Sequence, residues 1–88
     1  MPFANSLTMQ TNNLSQIEKL VELYYRPLFR FAERLCGSPV EAMALTQRTF
    51  RLAFDYSSTL PVPADNCAWL SAILFNRFLA DRPRLQRG

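Results

Sequence analysis

The residues of this chain with the clearest potential for chemistry are arginines near its end. Residues 76–88 contain Arg77, Arg82, Arg84 and Arg87 against a single carboxylate, Asp81, and the whole net charge of +3 lies there, because residues 1–75 are electrically balanced. Positive charge concentrated at one end is typical of a polyanion partner. Arginines at the end of a helix also complement its dipole, so charge alone leaves both interpretations open.

Residue types that most enzyme sites use are missing. The sequence contains no histidine, its carboxylates are scattered singly, and its two glycines cannot form a phosphate-binding loop. The cysteines, Cys36 and Cys67, lack the spacing of a metal site, and we expect two buried free thiols in a reducing cytosol. We therefore expect a binding domain rather than an enzyme, with no cofactor and no metal.

Helical periodicity begins after residue 14. Ser15 and Glu18 form a capping box, which predicts the start of a first helix, and Gly37 predicts its end. Pro27 lies inside this helix and removes a backbone donor, so we expect a kink or a break into two short helices there. One face is apolar at helical spacing: Ile17, Leu20, Tyr24, Leu28, Phe31 and Leu35.

The second helix has an equally clear start. Ser38 supplies an N-cap, Pro39 a proline at N1 and Glu41 an acid at N3. Residues 57–66, which follow this helix, contain two prolines and are predicted to form a loop. The apolar stripe of the helix consists of Ala42, Leu45, Thr49, Ala53 and Tyr56; for Tyr56, a core position and an exposed pocket wall are both open.

The third helix is predicted to be capped by Asp65 or Asn66 and to end near Asp81. Its apolar residues cover most of its circumference, so we expect it to be the central helix, with Trp69 in the core. The predicted fold is a compact all-α bundle of three helices, or of four if the first one breaks at Pro27. Residues 1–14 are expected to be a flexible lead-in, residues 15–84 the domain and residues 85–88 a tail.

Three segments resemble region 2 of bacterial sigma factors of the sigma-70 family, in the extracytoplasmic-function (ECF) group. Residues 45–50 (LTQRTF) resemble the signature of the family's second helix. Residues 68–70 (AWL), followed by Ile73, Asn76 and Asp81, resemble its third helix, and residues 24–32 resemble its opening helix. The segments follow the family's order, at about its spacing, over residues 16–84.

The resemblance implies a transcription initiation domain of the bacterial cytoplasm, with no membrane insertion. In the family, the first two helices bind the clamp helices of the RNA polymerase β′ subunit. The loop and third helix open the −10 promoter element and hold its non-template strand single-stranded, and an anti-sigma factor is a further expected partner. Polymerase contact is implied for Ala44, Gln47, Arg48 and Arg51, and DNA contact for Tyr56, Ser57, Ser58, Asn66, Asn76, Arg77, Arg82 and Arg84.

Several positions differ from the family's pattern. Ala44 stands where an acidic residue is usual, Arg48 stands where Glu or Asp is usual, and Asp81 lies one place later than the family's aspartate. Either the polymerase partner has compensating changes, or clamp binding is weakened. The alternative function is therefore a sigma-like interaction domain that binds an anti-sigma factor and no DNA.

A sigma factor of this group also contains region 4, a second helical domain that reads the −35 promoter element. No segment of the 88 residues resembles region 4, so we expect an isolated region 2.

Overall fold

The computed structural model describes residues 2–82, and three helices make up most of this part of the chain. Helix α1 extends over Pro2–Cys36, α2 over Pro39–Ser57 and α3 over Asn66–Asp81. Residues 2–82 contain no strand. The predicted all-α fold of three helices is therefore confirmed.

Helix α1 is longer than predicted. It begins at Pro2, so the predicted start at Ser15 is wrong, and Ser15 lies inside the helix. Residues 3–14 contain neither glycine nor proline, and no strong breaker separates them from the amphipathic part. The helix also continues through Pro27, where buried Leu28 and half-buried Tyr24 pack with the core on either side of the missing backbone donor.

The junction between α1 and α2 uses the predicted capping residues. Gly37 has φ +73°, a left-handed conformation, and its backbone N–H donates to the carbonyl of Glu33 at 2.8 Å. The side-chain oxygen of Ser38 accepts from the backbone N–H of Glu41 at 3.4 Å. At the start of α3, the carboxylate of Asp65 accepts from the backbone N–H of Ala68 at 3.1 Å. The sequence therefore located both of these helix starts correctly.

Helix α2, not α3, is the central helix. Six side chains of α2 are buried against three of α3, and Phe75 and Leu79 on the outer side of α3 are 41% and 44% exposed. The expectation that α3 is the central helix is therefore wrong, because in the described part of the chain α1 and α2 leave part of its wide apolar surface uncovered. The buried apolar core consists of Ile17, Leu20, Leu28, Ala32, Ala42, Leu45, Phe50, Ala53, Leu70, Ile73 and Leu74.

The helices alternate in direction. Cys36 at the end of α1, Glu41 at the start of α2 and Asp81 at the end of α3 line one groove, so these three helix ends meet at the same end of the bundle. The loop from α2 to α3 lies at the opposite end. The long contact between α2 and α3 therefore has two ends with different surroundings, and some of the candidate site residues lie along it.

Candidate nucleic-acid interface

Three of the four predicted polymerase-contacting residues share one exposed surface, which we call the outer face of α2. Ala44, Gln47 and Arg51 are spaced by three and four residues, so they lie on one side of the helix, and all three are exposed. Among the described residues, neither Gln47 nor Arg51 has an ion pair or a side-chain hydrogen bond. The outer face of α2 thus presents an amide and a guanidinium group to solvent.

Arg48 is used differently. Its Nη1 donates to Oδ2 of Asp81 at 2.6 Å, which joins α2 to α3 across 33 residues of sequence. The other oxygen of Asp81, Oδ1, accepts from Nη2 of Arg77 at 2.9 Å. One carboxylate is therefore shared by two arginines on two helices, and we call this arrangement the Arg48–Asp81–Arg77 bridge.

A second feature is a groove of about 320 Å³ between α2 and α3, which we call the aromatic groove. It brings together three of the predicted DNA-contacting residues, Tyr56, Asn76 and Arg77. Tyr56 is 43% exposed, so it forms part of a groove wall and does not extend the core. The described residues that line the groove are Leu52, Tyr56, Trp69, Ala72, Ile73, Asn76, Arg77 and Ala80, none of which is acidic.

Trp69 has a second role that the sequence interpretation missed. As expected it packs against the core, but it also lines the aromatic groove. A pattern in the sequence could have indicated this, because Trp69, Ile73, Asn76 and Ala80 have the i, i+4, i+7, i+11 spacing of one helix face. An indole, a phenol and the amide of Asn76 thus line one groove, a combination suited to a planar ring.

Arg77, which lines this groove, contains a buried donor. Its side chain is about one-third exposed, and Nη2 donates to Asp81. Its Nε is buried and has no hydrogen-bond partner among the described residues. A buried donor without an acceptor costs free energy.

The predicted loop residues Ser57, Ser58 and Asn66 do not line the aromatic groove. Each side chain instead donates to the backbone carbonyl three residues earlier, at 2.8, 2.8 and 2.7 Å. The bonds of Ser57 and Ser58 satisfy carbonyl groups in the last turn of α2, which have no partner within the helix. The bond of Asn66 satisfies a carbonyl group of the loop. In this structure the three side chains therefore stabilise the connection between α2 and α3.

The remaining predicted DNA-contacting residue that the structure describes, Arg82, lies elsewhere. It lines what we call the charged groove, about 390 Å³ in volume, and its guanidinium carbon is 5.8 Å from the ring centroid of Phe78. Arg84 lies outside the described residues. Two carboxylates and two guanidinium groups are among the residues that line the charged groove, which are Cys36, Glu41, Ala44, Leu45, Arg48, Phe78, Asp81 and Arg82.

The two thiols differ in environment. Burial raises the pKa of Cys36, and the negative charge of Glu41 raises it further, so this thiol stays protonated above its usual range. Cys67, in the first turn of α3, is exposed, so the expectation of two buried thiols is wrong for this residue; both cysteines are free. In the described part of the chain, no group of three or more histidine, cysteine or acidic side chains could hold a metal ion.

Comparisons with family models, curated proteins and solved structures found no match to this chain. Over the described range, none of the helices has both the length and the apolar composition of a membrane span.

Proposed function

We propose that this chain is a sigma-factor region 2 domain of the ECF type. The outer face of α2 binds the clamp helices of the core RNA polymerase β′ subunit, and the aromatic groove binds the non-template strand of the opened −10 promoter element. This assigns the protein to transcription initiation in the bacterial cytoplasm. The family resemblance of residues 16–84 and the three-helix fold support the proposal.

One observation carries the DNA part of the proposal. Tyr56, Asn76 and Arg77 come from two helices and lie in one groove, without a carboxylate among the described lining residues. A phenol ring stacks on a base, an amide hydrogen-bonds a base edge, and a guanidinium binds a phosphate or a carbonyl oxygen. These are the three groups that capture of one unstacked nucleotide requires.

The test for DNA binding compares two aromatic side chains of similar exposure. Tyr56→Ala removes a wall of the aromatic groove, whereas Phe75→Ala removes a ring of α3 that lines neither groove. We expect Tyr56→Ala to weaken binding of a fluorescent mixed-sequence single-stranded DNA at least about fivefold, from the ~1–3 kcal/mol of one base–aromatic stack. Equal affinities of the two variants would overturn the assignment of the groove.

The test for polymerase binding uses co-purification of the domain with bacterial core polymerase at low salt. We expect the wild-type domain to be retained, and Gln47→Ala and Arg51→Ala to reduce retention. Arg34→Ala is the control, because it removes an exposed guanidinium from α1 and leaves every residue of the outer face of α2 in place. If the native domain is not retained, this domain is not a polymerase-binding factor.

One observation favours the second candidate function, a sigma-like domain that binds an anti-sigma factor and no DNA. The outer side of α3 carries exposed Phe75 and Leu79, an apolar surface that lies outside the aromatic groove and for which DNA binding has no use. Retention of a protein partner by this surface, with no binding of single-stranded DNA, would replace the first proposal by the second.

A further inference from the structure

Two departures from the family's pattern contact each other in the folded domain. Arg48 on α2 replaces an acidic residue, and Asp81 on α3 lies one place later than the family's aspartate. Their side chains form an ion pair of 2.6 Å between Nη1 and Oδ2. The reversed charge at residue 48 therefore has a partner inside the domain, and it need not find one on the polymerase.

We propose that Asp81 is a positioning residue, which holds the guanidinium of Arg77 at the aromatic groove, and that Arg48 fixes Asp81 from the neighbouring helix. This inference rests on the proposed DNA role of the aromatic groove. Arg77 contacts the nucleotide, whereas Asp81 and Arg48 act through it.

The geometry of the bridge carries the proposal. Each oxygen of Asp81 accepts from a different arginine, at 2.6 Å from Arg48 and 2.9 Å from Arg77, so the carboxylate cannot rotate without breaking one of the bonds. An arginine side chain loses rotamer freedom when it binds a ligand, and a side chain that is already fixed loses less. The bridge thus reduces the side-chain entropy that Arg77 loses when it binds DNA.

Charge and positioning make opposite predictions for Asp81, which makes the proposal testable. A carboxylate beside an arginine that binds DNA repels phosphate, so simple electrostatics predicts tighter DNA binding when the carboxylate is removed. Positioning predicts weaker binding, because Arg77 becomes free to move. The sign of the change therefore separates the two effects.

The experiment compares Asp81→Asn with Asp55→Asn, which makes the same charge change at an exposed carboxylate without an ion pair among the described residues. We expect Asp81→Asn to weaken binding of mixed-sequence single-stranded DNA about two- to fivefold, the size expected for a half-exposed pair. Asp55→Asn should leave binding unchanged or strengthen it. If Asp81→Asn binds as tightly as Asp55→Asn or more tightly, Asp81 does not position Arg77.

The role of Arg48 is tested by Arg48→Gln against Arg34→Gln, both of which remove one exposed positive charge. We expect Arg48→Gln to weaken DNA binding further than Arg34→Gln does, because it releases Asp81 as well. Equal losses of DNA affinity in the two variants would show that Arg48 contributes only its positive charge, and would overturn its part in the bridge.

A measurement without DNA separates this proposal from the proposed function. The ¹⁵N relaxation of the Arg77 Nε–H group reports its mobility directly, and we expect it to be ordered in the wild type and in Asp55→Asn. In Asp81→Asn and Arg48→Gln it should become mobile on the nanosecond timescale. If wild-type Arg77 is as mobile as Arg34, the positioning role is wrong; if Arg77 is ordered but the domain binds no DNA, the proposed function fails instead.

Discussion

The charged groove and the aromatic groove lie along the same contact between α2 and α3, but their chemistry differs. The charged groove is lined by two carboxylates, Glu41 and Asp81, and by two guanidinium groups, Arg48 and Arg82, so the formal charges of its lining balance. The described residues that line the aromatic groove include one charged group, Arg77, together with a phenol, an indole and an amide. A polyanion with stacked bases is therefore suited to the aromatic groove and has no net attraction to the charged one.

This difference shows why an arginine cluster in a sequence is not a single surface. Arg77 and Arg82 are five residues apart, which is about 140° around a helix of 3.6 residues per turn. Arg77 therefore lies beside Tyr56 and Asn76, while Arg82 lies beside Phe78 in the charged groove. Asp81, between them, binds Arg77 and Arg48 and so takes part in the electrostatics of both grooves.

The largest expected effect concerns the buried core. Leu74→Ala removes a fully buried side chain of α3 that belongs to the apolar core. We expect the free energy of unfolding to fall by about 2–5 kcal/mol, measured by urea titration followed by circular dichroism. Leu79→Ala, on the exposed side of α3, is the control and should change it by about 0.5 kcal/mol or less. Similar losses in the two variants would show that the outer side of α3 is covered in solution.

A direct comparison of the grooves is the next largest effect. Arg77→Ala and Arg82→Ala remove the same charge from the two grooves, so their general electrostatic cost is matched. We expect Arg77→Ala to weaken binding of single-stranded DNA about fivefold more than Arg82→Ala, a difference of about 1 kcal/mol. The measurement is fluorescence anisotropy at two salt concentrations. A larger loss of DNA affinity in Arg82→Ala would mean that the charged groove, and not the aromatic groove, is the DNA site.

The connection beside the charged groove offers a third test. Gly37 has φ +73°, and a Cβ atom built there meets no atom within 4 Å, so Gly37→Ala would strain the backbone without a steric clash. We expect a loss of about 1 kcal/mol in the free energy of unfolding. Ser58→Ala at the other connection removes a hydroxyl that donates to backbone carbonyls and is the comparison. If Gly37→Ala leaves the free energy of unfolding unchanged, the α1–α2 turn adopts another conformation in solution.

The sequence located the starts of α2 and α3 because Ser38 and Asp65 act through bonds to the next few residues, which are local. It also gave the apolar stripe of α1 correctly, from Ile17 to Leu35. It misplaced the start of α1, where the capping box at Ser15 is overridden by helix formation on both sides. Local signals therefore decide most of the fold.

The features of the candidate site that the sequence did not predict are contacts between distant residues. The ion pair of Arg48 with Asp81 joins positions 33 residues apart, and nothing local to either residue indicates it. The position of Tyr56 was open because its place in the apolar stripe fits a core residue as well as a groove wall. Helix α3 was expected to be central because its composition gives its apolar area, but not how many neighbours cover it.

The smallest expected effect tests the electrostatics of the charged groove through its thiol. The thiolate is the reactive form, and burial together with Glu41 raises the pKa of Cys36, so at a given pH less thiolate is present than at an ordinary thiol. We expect Cys36 to be alkylated by iodoacetamide more slowly than exposed Cys67 at pH 8, and its rate to rise at higher pH. Mass spectrometry of the peptides measures both rates in one sample.

Glu41→Gln separates the two causes of this slow reaction. Burial is the larger cause and remains, so the variant should accelerate alkylation of Cys36 only modestly and leave Cys67 unchanged. A much larger acceleration would mean that the charge of Glu41 dominates the groove. In that case the charged groove would have a negative potential at this end, and its contrast with the aromatic groove as a site for a polyanion would be stronger than the balance of charges indicates.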